Sequence, residues 1–257
     1  MKNTILSEKD ARLIEKAILK HGRILNIRDL MGIFQNEYSA SSAHNRINLL
    51  SRVGWLRRLK RGSYLIIDSL TSRSQIDVSL VSIANVLMEN SYVSCAHALN
   101  YYQLFDQYGA AIVSVTTKES KKYLFDGYVF KYSKVKNNMY FGFTEKIIDG
   151  KKVRLAEAEK ALIDYLYLDK SFVSASLVFE KLREYCGELD IKKLQKYAVR
   201  SGLTITRKIG FMMDRLELDS TFLHEALRKN RGVSRFTANS KIFNAKWRLY
   251  YDDRIIG

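Results

Sequence analysis

The side chains best suited to recognition chemistry are concentrated in residues 39–66, SASSAHNRINLLSRVGWLRRLKRGSYLI. This stretch contains no Asp or Glu, yet it carries six cations, which are Arg46, Arg52, Arg57, Arg58, Lys60 and Arg61. Cations at this density neutralise phosphate groups and release the counterions condensed on nucleic acid, whereas a carboxylate on the same surface would repel phosphate. A charge run by itself is also typical of a solvated cationic face. The Ser and Asn side chains that precede these cations can exchange hydrogen bonds with base edges, which favours DNA binding.

A helix must hold the polar side chains of the first half of this stretch on one face. Ser39 can cap such a helix, and Ala43, Ile47 and Leu50 then form its inward face. The N-terminal part of a recognition helix is the part that meets bases in the major groove. The later cations lie on a strand–turn–strand whose tip, Lys60-Arg61-Gly62, is placed to reach phosphate or the minor groove. The predicted DNA-binding residues are Ser41, Ser42, His44, Asn45, Arg46, Asn48, Arg52, Arg57, Arg58, Lys60 and Arg61.

Two further helices precede this one. Ser7 and Asp10 have the spacing of a capping box that opens the first helix, and Gly22 is placed to end it. Asn26 can cap a short second helix. Three helices and a hairpin in this order predict a winged helix-turn-helix DNA-binding domain over residues 1–70.

The polar segment DSLTSRSQ, residues 68–75, is the predicted linker to a second domain over residues 76–257. Beyond it the pattern of apolar residues switches between helical spacing and alternation. The predicted fold class is therefore α+β, with an N-terminal winged helix-turn-helix followed by a larger mixed α/β domain.

The second domain is predicted to begin with two helices, at residues 78–88 and 91–105. A strand follows, and then two hairpins that turn at Asp126-Gly127 and Asp149-Gly150. Five further helices are predicted between residues 156 and 229. The last residues, FNAKWRLYYDDRIIG, are predicted to be extended.

Composition limits the classes of function. The 257 residues carry a formal net charge of +16, which favours nucleic acid or another polyanion as the partner. No apolar run reaches the length of a membrane span, and the N-terminus lacks the apolar core of a signal peptide, so we predict a cytoplasmic protein with no membrane partner. Cys95, Cys186 and the four histidines are scattered, and none has the spacing of metal ligands. We therefore predict no metal site and no cofactor.

One catalytic alternative is carried by Asp106, Glu119 and Lys121. These residues loosely follow the order found in metal-dependent nucleases, where two carboxylates hold a divalent metal and polarise a water. Ordinary surface charges on a loop explain the same residues, and we predict that the chain is not an enzyme.

A second acidic set, Glu157, Glu159 and Asp164, lies on one predicted helix. Lys160 is spaced i,i+3 from Glu157 and i,i+4 from Asp164, which predicts ion pairs on the helix surface rather than catalytic residues. Near the C-terminus, three aromatic residues are predicted to belong to a core rather than to a stacking platform: Trp247, Tyr250 and Tyr251.

The order of four segments resembles the AbiEi-type antitoxins of abortive-infection (type IV) toxin–antitoxin systems, which act in phage defence. The segments are LSRVGWLRRLKRGSYLI, YVSCAHALNYYQL, VRLAEAEKALIDYLY and TRKIGFMMDRLEL. In the first, the predicted wing closes on Arg61, Gly62 and Tyr64, which is similar to the Arg-Gly-x-Tyr of the family. Together the segments are spread over most of the chain.

The resemblance implies a repressor that binds inverted repeats in its own promoter through the winged helix. It also implies that an antitoxin-type C-terminal domain counteracts a cognate nucleotidyltransferase-like toxin. A plain transcription regulator with a C-terminal sensing domain and no toxin is an equally open alternative from the residues alone.

Overall fold

The computed structural model describes residues 6–67, 78–107 and 109–255. The chain is α+β, and it divides into two compact units. Within the described residues, the first unit runs to Asn90 and also includes Tyr123–Val129 and Glu145–Arg154. The second unit contains the remainder of the chain. The predicted linker, and with it the boundary between residues 1–70 and 76–257, lies outside the described residues.

The first unit begins with three helices and a small antiparallel sheet. Their bounds are α1 Glu8–His21, β1 Ile24–Asn26, α2 Ile27–Phe34, α3 Ala40–Arg52, β2 Leu56–Lys60 and β3 Ser63–Ile66. The strand order is β1-β3-β2. The sequence predicts all of these elements except β1, whose three residues are too few to show an alternating pattern.

Side-chain caps fix where these helices begin. The Ser7 hydroxyl accepts a hydrogen bond from the Asp10 amide at 3.2 Å, and the Asn26 amide oxygen accepts one from the Asp29 amide at 3.0 Å. The Asp29 carboxylate in turn accepts a hydrogen bond from the backbone N–H of Asn26, which completes a capping box at α2. Ser39 caps α3 through the Ser42 amide. The predicted helix starts are therefore confirmed.

The core of the first unit is formed where the three helices meet the sheet. Ala43, Ile47 and Leu50 face inward from α3, which confirms the predicted face of that helix. The other buried apolar members include Leu13, Ile14, Ala17, Leu25, Leu30, Ile33, Phe34, Trp55, Leu56 and Ile66. A fourth helix, α4 Leu80–Leu87, is also part of this unit and is nearly all buried.

Six strands form the largest sheet, in the order β6-β7-β5-β4-β9-β8. Their bounds are β4 Ser91–Val93, β5 Ala111–Thr116, β6 Lys121–Phe125, β7 Tyr128–Lys134, β8 Phe143–Ile148 and β9 Lys151–Ala156. Both predicted hairpins are confirmed, with turns at Asp126-Gly127 and Asp149-Gly150.

The predicted helix over residues 91–105 is wrong in its first part. Ser91–Val93 is strand β4, which pairs antiparallel with β5 and parallel with β9, and only Cys95–Tyr101 forms a helix, α5. Tyr92 and Val93 are aromatic and β-branched, so they suit a buried strand, and pairing on both sides outweighs the apolar spacing that suggested a helix.

The second unit continues with five helices, as predicted. They are α6 Ala158–Leu168, α7 Phe172–Tyr185, α8 Ile191–Arg200, α9 Leu203–Arg215 and α10 Thr221–Leu227. A small sheet follows in the order β10-β12-β11, made of β10 Ser234–Arg235, β11 Ile242–Asn244 and β12 Leu249–Tyr251. Among the described residues, no helix combines the length and the apolar character required to cross a bilayer.

Trp247 joins this small sheet to α9. Its ring lies against Gly210, where a Cβ atom would come within 2.2 Å of the indole. Its indole nitrogen donates to the Asp214 carboxylate at 2.7 Å. Trp247 and Tyr251 are buried and confirm the predicted core, whereas Tyr250 is half-buried.

Candidate nucleic-acid interface

The outward face of α3 is polar and open to solvent. Ser39 holds the first turn in place, and the buried face fixes the rotation of the helix about its axis. The predicted base-reading residues on α3 are all exposed: Ser41, Ser42, His44, Asn45 and Asn48. Arg52, in the last turn of α3, is exposed as well. These side chains offer hydrogen-bond donors and acceptors and a positive charge, with no acidic residue on the helix.

Arg46 differs from the other predicted DNA-binding residues because it is held by a carboxylate from α1. Its Nε donates to Asp10 Oδ1 at 2.8 Å, and its Nη2 donates to Asp10 Oδ2. Asp10 is fully buried and also accepts from the Ser7 hydroxyl. Burial raises the pKa of the Asp10 carboxyl, but the hydrogen bonds from Arg46 and Ser7 outweigh that effect and lower the pKa below its ordinary value. This ion pair joins α1 to α3.

Two cations of the β2–β3 hairpin also form ion pairs with carboxylates that are distant in sequence. Arg57 donates to the Asp126 carboxylate, and Lys60 donates to Glu89 Oε1 at 3.0 Å. The Glu89 side chain is 80% exposed, so this pair lies in high dielectric, where an ion pair contributes little to stability and can exchange partners. Lys60 is therefore able to leave Glu89 for a phosphate.

Three of the six cations make no ion pair among the described residues. Arg52 is at the end of α3, Arg58 is on β2, and Arg61 is at the hairpin turn, and all three are exposed. Gly62, the second residue of that turn, has a φ of 76°, which other residues adopt at a cost. The turn geometry thus keeps Arg61 at the tip of the hairpin.

The sequence does not show which three carboxylates pair with Arg46, Arg57 and Lys60. Asp10, Glu89 and Asp126 are each distant in sequence from their partners. For Asp10 the sequence gives one indication. The residue lies on the apolar face of its helix, and a carboxylate buried there requires a partner. Asp126 gave only a turn signal, and Glu89 gave none.

The predicted ion pair between Lys160 and Asp164 is present, but its predicted location at the helix surface is wrong. Glu159, Lys160 and Asp164 are buried, and Glu157, which precedes α6, is half-buried. Lys160 and Asp164 form an ion pair with almost no exposed area, and Asp164 also accepts from Tyr92 at 3.1 Å and from Ser94 at 2.7 Å. Lys193 pairs with Glu159 at 3.0 Å and with Glu157 at 3.4 Å. The i,i+4 spacing of Lys160 and Asp164 was correct, but α6 is surrounded by protein on most of its circumference. Each of these charged side chains therefore forms an ion pair within the second unit.

The residues of the nuclease alternative occupy exposed positions. Asp106 follows α5, and Glu119 and Lys121 lie at the start of β6, where their charged atoms are 3.9 Å apart. In the part of the chain that the structure describes, no three His, Cys, Asp or Glu side chains are grouped to hold a metal ion.

Comparison with known proteins shows a likeness of fold. No protein-family model matches the sequence, and no curated protein matches it. The chain is similar in structure to the RV2827C protein from Mycobacterium tuberculosis, whose crystal structure superimposes with a TM-score of 0.65 at 12% identity. The superposition covers 97% of this chain and 93% of that one. At this identity the likeness concerns the fold alone.

Proposed function

We propose that the chain is a cytoplasmic DNA-binding repressor of its own promoter, and that its first unit acts as a winged helix-turn-helix. In this proposal α2 and α3 are the helix-turn-helix, α3 is the recognition helix, and the β2–β3 hairpin is the wing. One observation carries the proposal. The exposed face of α3 and the hairpin tip present polar side chains and three cations, Arg52, Arg58 and Arg61, that make no ion pair with any residue the structure describes.

The residues take different roles on DNA. Asn45 and Asn48, with Ser41, Ser42 and His44, face base edges, because side-chain amides match adenine and hydroxyls can pair with several bases. Arg52, Arg58 and Arg61 contact phosphates, and Arg57 and Lys60 do so after leaving their carboxylate partners. Arg46 is assigned a positioning role, since it holds α3 against α1 through Asp10.

The antitoxin part of the proposal is supported by the resemblance to AbiEi-type antitoxins. In that reading the second unit counteracts a nucleotidyltransferase-like toxin, and the promoter contains inverted repeats. The protein has no catalytic role of its own. Direct contact with the toxin is not required by the proposal.

A mobility shift with the full chain tests DNA binding. The probe is duplex DNA from immediately upstream of the coding sequence. The competitor is a duplex with the same base composition in scrambled order. We expect a shift that survives excess scrambled competitor. The absence of a shift at low salt on either duplex would contradict the proposal.

Toxicity assays test the antitoxin role. A nucleotidyltransferase reading frame adjacent to this gene is expressed with and without the full chain, and we expect growth to be restored only with the chain. Persistent toxicity, or the absence of such a reading frame, would favour the plain regulator with a sensing domain. That second candidate is favoured by one observation, an open cavity in the second unit.

A further inference from the structure

A cavity of about 670 Å³ lies within the second unit, against the N-terminus of α9. This volume is in the range of cavities that hold small molecules. One wall is formed by residues 201–205, at the junction of α8 and α9, and another by Leu166, Tyr167 and Phe236. Lys170, Lys208 and Arg235 also line it. The cavity thus combines apolar and aromatic surface with three cations.

The N-terminus of α9 is open to this cavity. Its cap residue is Gly202, and no side chain caps the helix. The first amides of an α-helix have no acceptor within the helix, and together they give its N-terminus a partial positive charge. Anionic groups, phosphate above all, bind at such ends.

Lys208 is a second and independent sign of an anionic ligand. It is only 2% exposed, yet its ammonium makes no hydrogen bond or ion pair with any described residue. The ammonium lies 5.4 Å from the centroid of the Phe236 ring, a cation–π contact that supplies no negative charge. Side chains on an α-helix lean toward the helix N-terminus, so Lys208, one turn beyond Thr204, extends toward the open end of α9. Burial, aided by the charge of Lys170 and opposed by that of Asp169, lowers the pKa of Lys208 to about 8. A buried cation without an anionic partner is unfavourable unless a ligand supplies the negative charge.

The hydroxyl of Ser201 adds a third unsatisfied group. Its Oγ is buried and has no hydrogen-bond partner among the described residues, and the residue lines the same cavity. Arg235, by contrast, already donates to the Ser240 carbonyl at 2.6 Å and stacks on Tyr250. The groups left free for a ligand are therefore Lys208, Ser201, the first amides of α9 and the exposed Lys170.

We propose that this cavity binds the phosphate group of a small phosphorylated molecule. The phosphate occupies the N-terminus of α9, where it accepts hydrogen bonds from the helix amides, Ser201 and Lys208. The remainder of the ligand lies on the aromatic surface of Tyr167 and Phe236, which suits the ring of a nucleoside monophosphate. This site is formed by other residues than the proposed DNA-binding surface, and the proposal holds whether or not the chain binds DNA.

Calorimetric titration of the full chain tests this site. The probes are adenosine and guanosine monophosphates, inorganic phosphate, and the two nucleosides without phosphate. We expect binding of at least one phosphate-bearing probe and none of the nucleosides. Lys208→Met should weaken that binding roughly tenfold or more, and Ser201→Ala should weaken it by a smaller factor, because a hydrogen bond to a charged group is lost in each case.

Two comparisons keep the result interpretable. Lys196→Met removes an exposed lysine of α8 and should leave binding unchanged. Lys208→Met should unfold at the same temperature as the parent chain or higher, because it replaces a buried charge that has no ion-pair partner among the described residues with an apolar side chain of similar length. Inorganic phosphate that binds only when Lys208 is present would support the site even if the nucleotides fail.

Several outcomes would overturn the proposal. They are the absence of binding of every phosphate-bearing probe, equal binding of nucleosides and nucleotides, and binding unaffected by Lys208→Met in a folded variant. The proposal would also be overturned if a duplex oligonucleotide bound, its binding required Lys208, and none of the small probes bound. That result would assign the site to nucleic acid.

Discussion

Asp10 is buried between α1 and α3, where its carboxylate accepts two hydrogen bonds from the Arg46 guanidinium. Its neighbours on α1, Leu13, Ile14 and Ala17, are apolar, so Arg46 is the group that makes a charge at this position tolerable. In the proposed function, Arg46 therefore affects DNA binding through the position of α3. The type of residue did not distinguish this role from phosphate contact, because a guanidinium can bind either a carboxylate or a phosphate.

Arg46→Ala should destabilise the fold by about 3 kcal/mol, since it leaves the Asp10 carboxylate buried without its partner. The free energy of unfolding in urea at pH 7 measures the effect. Arg52→Ala is the matched control on the same helix, and because Arg52 is exposed and unpaired among the described residues, it should change stability by no more than about 0.5 kcal/mol. Equal losses in the two variants would contradict the structural role of Arg46.

The same ion pair predicts a pH dependence. The pKa of Asp10 is lower in the folded chain than its ordinary value of 3.8, so its contribution is fully present above that value and is lost as the pH falls through the folded pKa. The stability difference between the parent chain and Asp10→Asn should therefore be largest near neutral pH and should shrink below about pH 4. A difference that stays constant down to pH 2 would show that Asp10 does not ionise in the way described.

Asn45→Ala should weaken binding to the preferred operator by about 1–3 kcal/mol and binding to random DNA much less. The reason is that Asn45 is exposed in the N-terminal half of α3, where base contacts are made. Fluorescence anisotropy with both duplexes measures the two affinities. An equal loss on both would reassign Asn45 to contact with the backbone.

At the scale of elements, local signals predicted most of the helices and three hairpins, β2–β3, β6–β7 and β8–β9, whereas the β11–β12 hairpin was predicted only as an extended segment. Ser7, Asn26 and Ser39 cap the first three helices, and the Asp-Gly pairs mark two turns. Strand β4 was missed because its three residues are fixed by pairing with β5 and β9, which lie far along the chain. The cavity beside α9 was missed for a related reason, although Lys208 at a core-facing position between Ile205 and Ile209 was a readable signal.

The packing of α9 against the C-terminal sheet gives a prediction at this scale. Gly210→Ala would place a Cβ within 2.2 Å of the Trp247 ring, so it should destabilise the chain by about 1–3 kcal/mol. Gly187→Ala is the control, because nothing lies within 4 Å of a Cβ there and its φ is not positive. Thermal unfolding compares the two. Equal stability of both variants would contradict the close contact.

The β2–β3 hairpin gives a second prediction at the scale of elements. Arg58→Ala and Arg61→Ala should each weaken binding to all DNA sequences and should reduce the slope of log affinity against log salt by about one. Lys60→Ala should have a smaller effect, because Lys60 must first leave Glu89. Arg228→Ala, an exposed cation of the second unit, is the control and should leave the slope unchanged. A slope unaltered by the hairpin variants would remove the hairpin from the interface.

At the scale of the whole molecule, the formal net charge of +16 predicts affinity for polyanions but not where they bind. The structure narrows the choice, because carboxylates from α1, from the end of α4 and from a hairpin turn neutralise Arg46, Lys60 and Arg57. Of the six cations in residues 39–66, the three that make no ion pair among the described residues, Arg52, Arg58 and Arg61, remain beside the polar face of α3. The second unit offers a cavity of different character, suited to a small anion.

The most direct test of the central claim removes those three cations together. The affinity of the full chain for duplex DNA from its own upstream region is measured by anisotropy for the triple variant Arg52→Ala, Arg58→Ala, Arg61→Ala. A charge-matched triple variant of the second unit, Lys192→Ala, Lys196→Ala, Arg228→Ala, is measured beside it. We predict that the first variant loses at least a hundredfold in affinity at moderate salt, on the order expected for three lost phosphate contacts, while the second stays within about threefold of the parent chain. Equal losses in the two variants would mean that net charge alone attracts DNA, and would contradict the assignment of α3 and its hairpin as the DNA-binding surface.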